Sequence, residues 1–224
     1  MAFKVETKDC TALSDSELSE LADLCGDRLT GFDIGYLSKQ RDEWVLISQV
    51  RENNKLRGYS FSTLERIGGT PAILLGLASV ARHSRADSVL KAIMAEQYRR
   101  ALLAFPDEDV LVGTRFVDPV ALVAFTGLAD VVPAPGQRAT GEERAWGRRL
   151  AKRFGADGRL DDRTFVLAGD GSTLGHVDFD SAKAQAKIAA ERAPLFDCLD
   201  AGRGDCLVAF GWAMAESLAS GRIA

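Results

Sequence analysis

The chain has 224 residues, 46% hydrophobic and 27% charged, with a formal net charge of −4. That length can bury a full core in one domain, or in one domain plus an appendage, and the composition is that of a globular protein. The acidic balance argues against nonspecific nucleic-acid binding, and no apolar run approaches the ~20 residues that span a bilayer. The first residues, MAFKVETKD, carry no signal-peptide pattern. Cys10, Cys25, Cys198 and Cys206 lack zinc-type spacing, so no metal site is expected. Reduced thiols in a cytoplasmic protein are the plain expectation.

Phe3–Val5 is a short candidate strand. Ser14-Asp-Ser-Glu17 is a capping box, opening a helix whose apolar face is Leu18, Leu21, Ala22 and Cys25. At that spacing Cys25 is core rather than a nucleophile. The pattern breaks from Gly26 to Gly35, and a short helix is predicted over Tyr36–Asp42. Trp44–Val50 and Leu56–Glu65 read as strands joined by a turn at Glu52-Asn-Asn-Lys55, where Asn tolerates left-handed backbone angles. Gly68-Gly69 leads into the apolar run Ile73–Val80, which lacks alternation and so suits a central strand covered on both faces.

A basic knot follows at Arg82–Asp87. Leu90, Ile93, Met94, Tyr98, Ala101, Leu102 and Phe105 then recur at the steps of a helix with one buried face. The first turn of such a helix presents unpaired N–H groups and favours an anion. Arg82 and Arg85 are placed to fork onto a phosphate, with an ordinary solvated loop as the alternative. His83 reads as a solvent-exposed loop histidine, or else a phosphate contact or proton shuttle. His176, in a Gly-rich turn, receives no role.

Beyond Pro106-Asp107, Val110–Thr114 is a short strand. Its parallel pairing with Ile73–Val80 needs a crossover, which the intervening helix supplies. Asp118-Pro119 looks like a capped helix start, followed by Val120, Leu122, Val123 and Phe125, then a strand at Val131-Val132. Gly141–Phe154 reads as a charged helix, Asp162–Ala168 as a strand, Ser181–Arg192 as an Ala-rich helix, Cys206–Phe210 as a strand and Gly211–Leu218 as a closing helix.

Two of these stretches carry a resemblance. Val80-Ala-Arg-His-Ser-Arg85-Ala-Asp-Ser88-Val-Leu90-Lys-Ala-Ile-Met94 aligns without gaps on the cofactor motif of the GNAT superfamily of N-acetyltransferases: a strand ending in Val, then Arg/Gln-x-x-Gly-x-Gly/Ala, then an apolar helix. Arg85 falls on Arg/Gln, while Ser88 and Leu90 replace the two small residues. Asp118-Pro-Val-Ala121-Leu-Val-Ala-Phe125-Thr-Gly127-Leu-Ala-Asp-Val131-Val resembles the family's Asn-x-x-Ala-x-x-Phe/Tyr-Tyr-x-x-x-Gly-Phe segment, with Asp in place of Asn.

The resemblance covers roughly residues 1–135. It implies an α/β (α+β) fold with a GNAT-like mixed, twisted sheet and helices on both faces. Residues 1–135 form the core, and 204–224 supply the final core strand and a C-terminal tail. Residues 136–203 are then an insertion or appendage, a separate small domain being the competing reading. By resemblance the chemistry is acyl transfer from acetyl-CoA or another acyl-CoA to a small-molecule or protein amine, and a homodimer is compatible with it. The implied cofactor contacts are Leu77, Ala78, Ser79, Val80, Arg82, Arg85, Ala86, Asp87, Ser88, Val89 and Asp118, with a backbone N–H of Leu77–Val80 as donor to the thioester carbonyl.

The departures from the pattern bear on chemistry. The family's acid tyrosine is replaced by Ala124 or Phe125, and Ala72–Val80 holds no carboxylate base. Glu65 is the nearest acidic residue, with a solvated strand-end charge as the alternative. Asp33 and Tyr36 fall where the acceptor-side loop would lie, or else serve packing and capping. No catalytic residue is assigned, and a catalytically inactive GNAT-like ligand-binding or interaction protein stands as the alternative function. The spacing of residues 90, 93, 94 and 98 predicts that Leu90 points into the core rather than at the loop.

Overall fold

The computed structural model describes residues 3–25, 32–184 and 191–223. The first half runs β1 (Lys4–Asp9), α1 (Asp15–Cys25), α2 (Ile34–Glu43), β2 (Leu46–Glu52), β3 (Lys55–Ile67), β4 (Thr70–Val80), α3 (Ala86–Ala104) and β5 (Val110–Phe116). It continues through β6 (Ala129–Val132), α4 (Gly141–Arg153), β7 (Leu160–Asp161), β8 (Val166–Leu167), β9 (Val177–Asp178), β10 (Cys206–Ala213) and a last short helix, α5 (Ala215–Ala219).

The strands lie in the order β1-β2-β3-β4-β5-β10-β8-β7, with β6 also on β10 and β9 on β4. The first four pair antiparallel, Asn53 and Asn54 turning β2 into β3 at φ 51° and 65°. β4 is central and runs parallel to β5 through Ala72↔Leu111, Ile73↔Val112 and Leu74↔Gly113. Its two faces belong to two cores. Leu74 and Leu77 join Leu18, Leu21, Leu37 and Leu150, from α1, α2 and α4. Ile73, Leu75, Ala78 and Val80 join Val89, Leu90 and Ile93 from α3. The sheet is therefore mixed, with helices on both faces, and the fold is GNAT-like. Among the described residues no helix is long and apolar enough to cross a membrane.

Several elements differ from the sequence expectation. The segment after Asp118 is a 3-10 turn, Pro119–Phe125, opened by Asp118 Oδ1 accepting from the Val120 amide at 2.7 Å. Five of its seven residues are buried, so its apolar run reflects burial on several sides rather than an amphipathic helix. Asp162–Ala168 is not one strand, because Phe165 takes φ 62° and the turn before it separates β7 from β8. β10 runs on to Ala213, and α5 covers only Ala215–Leu218 of the residues expected to be helical. Gly211 lies against β6, where a Cβ would come within 3.0 Å of Leu128. Of the helix expected over Ser181–Arg192, residues 185–190 lie outside the described residues, as do 26–31 of the predicted break.

The capping box forms as expected. Ser14 N donates to Glu17 Oε2 at 3.0 Å, Glu17 N to Ser14 Oγ at 3.3 Å, and Lys8 Nζ reaches Glu17 Oε1 at 2.6 Å. Burial opposes the charge on Glu17, but the bonds from Lys8 and Ser14 outweigh it and bring the carboxyl from 4.5 to about 2. A depressed folded-state pKa contributes stability above the unfolded value and loses it as pH falls through the folded one. Thermal melts of Glu17→Gln are therefore expected to decline less steeply than the parent's between pH 4.5 and about 2. At neutral pH, Glu17→Ala should cost about 1 kcal/mol, the scale of a lost helix cap. Parallel acid limbs for parent and Glu17→Gln would remove this role.

Candidate functional site

The site begins with a bulge. β3 pairs Phe61 with Leu77 and Ser62 with Leu75, so Gly76 is the extra residue on β4. The Trp44 ring occupies the space a side chain would need there: a Cβ on Gly76 would lie 2.0 Å from Trp44 Cε2. Trp44 is in turn held by its Nε1–H, which donates to Gln40 Oε1 at 2.9 Å. The bulge switches the facing of the residues after it and ends the β4–β5 pairing at Leu74↔Gly113. From there the strands part. Side chains of β5 bridge the start of the opening, Thr114 Oγ1 donating to Leu75 O at 2.8 Å and Arg115 Nη2 to Gly76 O at 2.7 Å.

Further along, the chain itself fills the opening. β9 pairs parallel to β4 at Ala78↔Val177 and Ser79↔Asp178. Ala78 N donates to His176 O at 3.1 Å, and Ser79 Oγ to Asp178 Oδ2 at 2.7 Å. Val177 and Phe179 are buried in the α3-side core. His176 is buried against the Phe32 ring, with Nδ1 2.9 Å from Leu174 O, and burial lowers its pKa against the opposing pull of the Leu174 bond and Asp178.

Two cavities flank this segment. One, of about 960 Å³, lies between α2, β4, β5 and the end of α4, with Tyr36, Trp44, Glu65, Arg115 and Phe154 on its walls. The other, of about 610 Å³, has Arg82, Asp118, His176 and Asp178 on its walls. Ser172, Thr173 and Leu174 border both.

The expected cofactor residues are divided. Leu77, Ala78, Ser79 and Val80 are buried on β4, with Ala78 and Ser79 paired to β9. Arg82 and Asp118 meet at the smaller cavity, where Arg82 Nε pairs with Asp180 at 3.0 Å. Arg85 turns elsewhere: its guanidinium pairs with Glu52 and lies 4.1 Å over the Phe3 ring. The turn's own groups take up its amides. Arg85 N donates to His83 Nδ1, Ala86 N to His83 O, and both Ser88 N and Val89 N to Arg85 O, all at 3.0–3.1 Å. Ala86 and Val89 are core, Ser88 is exposed, and Asp87 Oδ2 accepts from Ser181 Oγ at 2.9 Å. His83 is partly buried, and burial together with Arg57 lowers its pKa. Leu90 points inward at 2% exposure, as its spacing predicted.

On the other side, Asp33 caps α2 by accepting from Tyr36 N at 2.7 Å, and both residues line the larger cavity. Burial raises Tyr36 to about 12, against the pull of Arg115. Glu65 is on the same wall, 3.4 Å from Arg153. Ala124 and Phe125 are buried, Phe125 edge-on to Phe116. Sequence reasoning missed Arg115, Trp44 and Asp178. Two signals were present: a lone glycine inside the apolar run of β4, and a lone arginine inside the apolar run of β5.

No family model and no curated protein matches the chain. Among solved structures it is similar to the aminoglycoside 6'-N-acetyltransferase of Enterococcus faecium at 12% identity and a TM-score of 0.39, over 51% of this chain and 63% of that one, less than two thirds of its length. It is similar to a Desulfovibrio desulfuricans protein assigned to the GNAT family of acetyltransferases at 14% identity and TM-score 0.42, over 61% and 92% of the two chains. The ribosomal-protein-S18-alanine N-acetyltransferase of Escherichia coli gives 10% identity and TM-score 0.42, over 62% and 86%. At these identities and TM-scores the likenesses carry no function to this chain. The GNAT-like description of the fold rests on its mixed sheet, on the central β4 running parallel to β5 and on the helices that cover both faces.

Proposed function

We propose that the protein is a GNAT-like ligand-binding protein that takes a small molecule in the larger cavity, its acyl-donor cleft being closed by its own chain. The pairing of β9 with Ala78 and Ser79 carries this reading. Those β4 groups are the ones the resemblance would give to an acyl-CoA. Three further observations support it: Arg85 is engaged by Glu52, the turn amides are bonded within the turn, and buried Ala124 and Phe125 replace a proton donor. The larger cavity, at about 960 Å³, is within the range of small-molecule sites.

A second reading is favoured by the smaller cavity. Arg82 and Asp118 lie there against the opposite side of the 172–178 segment from Tyr36 and Glu65. Displacing β9 would join the two cavities and free the Ala78 amide to donate to a thioester carbonyl. The chain would then be an acyl-CoA-dependent N-acyltransferase of a small-molecule or protein amine, gated by β9, with acetyl-CoA or a longer acyl-CoA as co-substrate and the cytoplasm as its place of action. Glu65 would be the carboxylate nearest the amine.

Titration calorimetry with acetyl-CoA and longer acyl-CoAs separates the two. The closed-cleft reading expects no saturable heat and no rise in melting temperature, since a ligand of the folded state stabilises it by mass action. Saturable binding to the unmodified protein would establish the second.

A further inference from the structure

We infer that Arg115 is an oxyanion subsite: the ligand of the larger cavity carries a carboxylate or phosphate that pairs with this guanidinium. The inference rests on the ligand-binding reading above and names the ligand's chemistry. Arg115 is 4% exposed and lines the cavity. Among the described residues its partners are one carbonyl, Gly76 O at 2.7 Å, and the face of Phe154, 4.5 Å from Cζ. Its Nε is shut from water and has no hydrogen-bond partner. Neither contact carries negative charge, and a buried guanidinium without a counter-ion is costly enough that proteins nearly always pair it.

Among the described residues no acid of the cavity wall forms an ion pair with it: Asp33 caps α2 through the Tyr36 amide, Glu65 faces Arg153, and Glu43, which accepts from Gln40 Nε2 at 2.7 Å, acts on Arg115 only across a longer distance. Arg159 has its own partner in Asp170, at 2.5 Å. Of the described cations that line this cavity, those without an ion-paired acid are therefore Arg115 and Lys39. Lys39 lies one helical turn after Tyr36 on α2, so the two present on one face. The Tyr36 hydroxyl and Arg115 also converge: a Cβ built on Gly175 would lie 2.9 Å from Arg115 Nη2 and 3.1 Å from Tyr36 Oη. A guanidinium, a phenol and an ammonium form a donor set for an oxyanion, the guanidinium keeping four N–H groups beyond the one given to Gly76 O. Trp44 and Phe154, ring centroids 6.3 Å apart, supply an apolar wall for the rest of the molecule. The fitting class is a small organic acid with an apolar or aromatic body.

The test uses the full chain in thermal shift and calorimetry with benzoate, phenylacetate and hexanoate, their neutral amides, phenyl phosphate and inorganic phosphate. The acids are expected to bind and the amides not; the carboxylate and phosphate arms identify which oxyanion is preferred. Arg115→Met should weaken acid binding by roughly tenfold or more, the scale of a charge-assisted hydrogen bond. Its melting temperature should hold or rise, because a lone buried charge is removed. Arg115→Lys keeps the charge without the fork and should retain part of the affinity, which also covers the case where the methionine variant fails to fold. Equal binding of acids and amides, or acid affinity unchanged in both variants, overturns the subsite while leaving a cavity ligand in place. No binding of any oxyanion at millimolar concentration overturns it as well. Binding of acyl-CoA, by contrast, would count against the closed cleft and leave the Arg115 result standing.

Discussion

Gly76→Ala is expected to lower stability by about 3 kcal/mol, at the upper end of the cost of overpacking a core. The added methyl would lie 2.0 Å and 2.2 Å from two carbons of the Trp44 ring. That ring has little freedom to retreat. Its Nε1 is tied to Gln40, Trp44 is nearly buried, and Phe154 packs beyond it. The backbone cannot yield cheaply either, since Gly76 O holds Arg115 and β4 is paired on both sides of the bulge. The urea midpoint should therefore fall with the slope unchanged, as for a loss of stability without a change in the unfolded state. Trp44→Leu in the same chain should recover part of the loss, because the two positions are in contact and their effects do not add. If the midpoint of the single variant stays put, the ring swings aside, and the bulge is not fixed by Trp44.

The central elements were legible in the sequence because their signals are local. The apolar run of β4, the three- and four-residue steps of α3, the Asn-Asn turn and the Ser14/Glu17 box each specify structure within a few residues. Leu90 was readable for the same reason, its neighbours at 93, 94 and 98 sharing its face. What closes the cleft is not local. The Ser79–Asp178 hydrogen bond joins residues 99 apart, and β9 is two residues long in a stretch of Gly, Ser and Thr that has no strand periodicity. The Glu52–Arg85 pair is similar, because nothing near Arg85 in sequence shows that β2 delivers a carboxylate to it. A basic turn before an amphipathic helix thus reads as an anion site, whereas the folded chain brings it its own anion. Arg115 was passed over for the opposite reason: a single charge within VLVGTRF does not disturb a strand pattern, and its isolation is visible only when β4, α2 and α4 surround it.

Val177→Asp is expected to expel β9 while leaving the sheet intact, and its ligand behaviour decides the function of the cleft. Val177 is 1% exposed in the α3-side core. A carboxylate there, with no cation provided for it, costs several kcal/mol. β9 contributes two residue pairs to β4, whereas β3 pairs with β4 along nearly its whole length, so the short strand yields first. Hydrogen exchange should show this as a loss of protection at Ala78, whose amide is bonded to His176 O, with the β3–β4 ladder still protected. Losing one buried valine and its neighbours' contacts, about 2 kcal/mol, should lower the melting temperature by about 4–8 °C. Acetyl-CoA is nevertheless expected not to bind this variant. Freeing Ala78 restores one donor, but Arg85 remains on Glu52 and Phe3, and the amides at 85, 86, 88 and 89 remain bonded within the turn. A groove that regains its backbone edge without regaining its phosphate contacts lacks the charged part of the affinity. If calorimetry instead finds saturable acetyl-CoA binding in Val177→Asp and none in the parent, the turn reorganises once the strand is gone. β9 then covers a donor site that the unmodified chain keeps shut, and the phosphate contacts are not what keeps acetyl-CoA out.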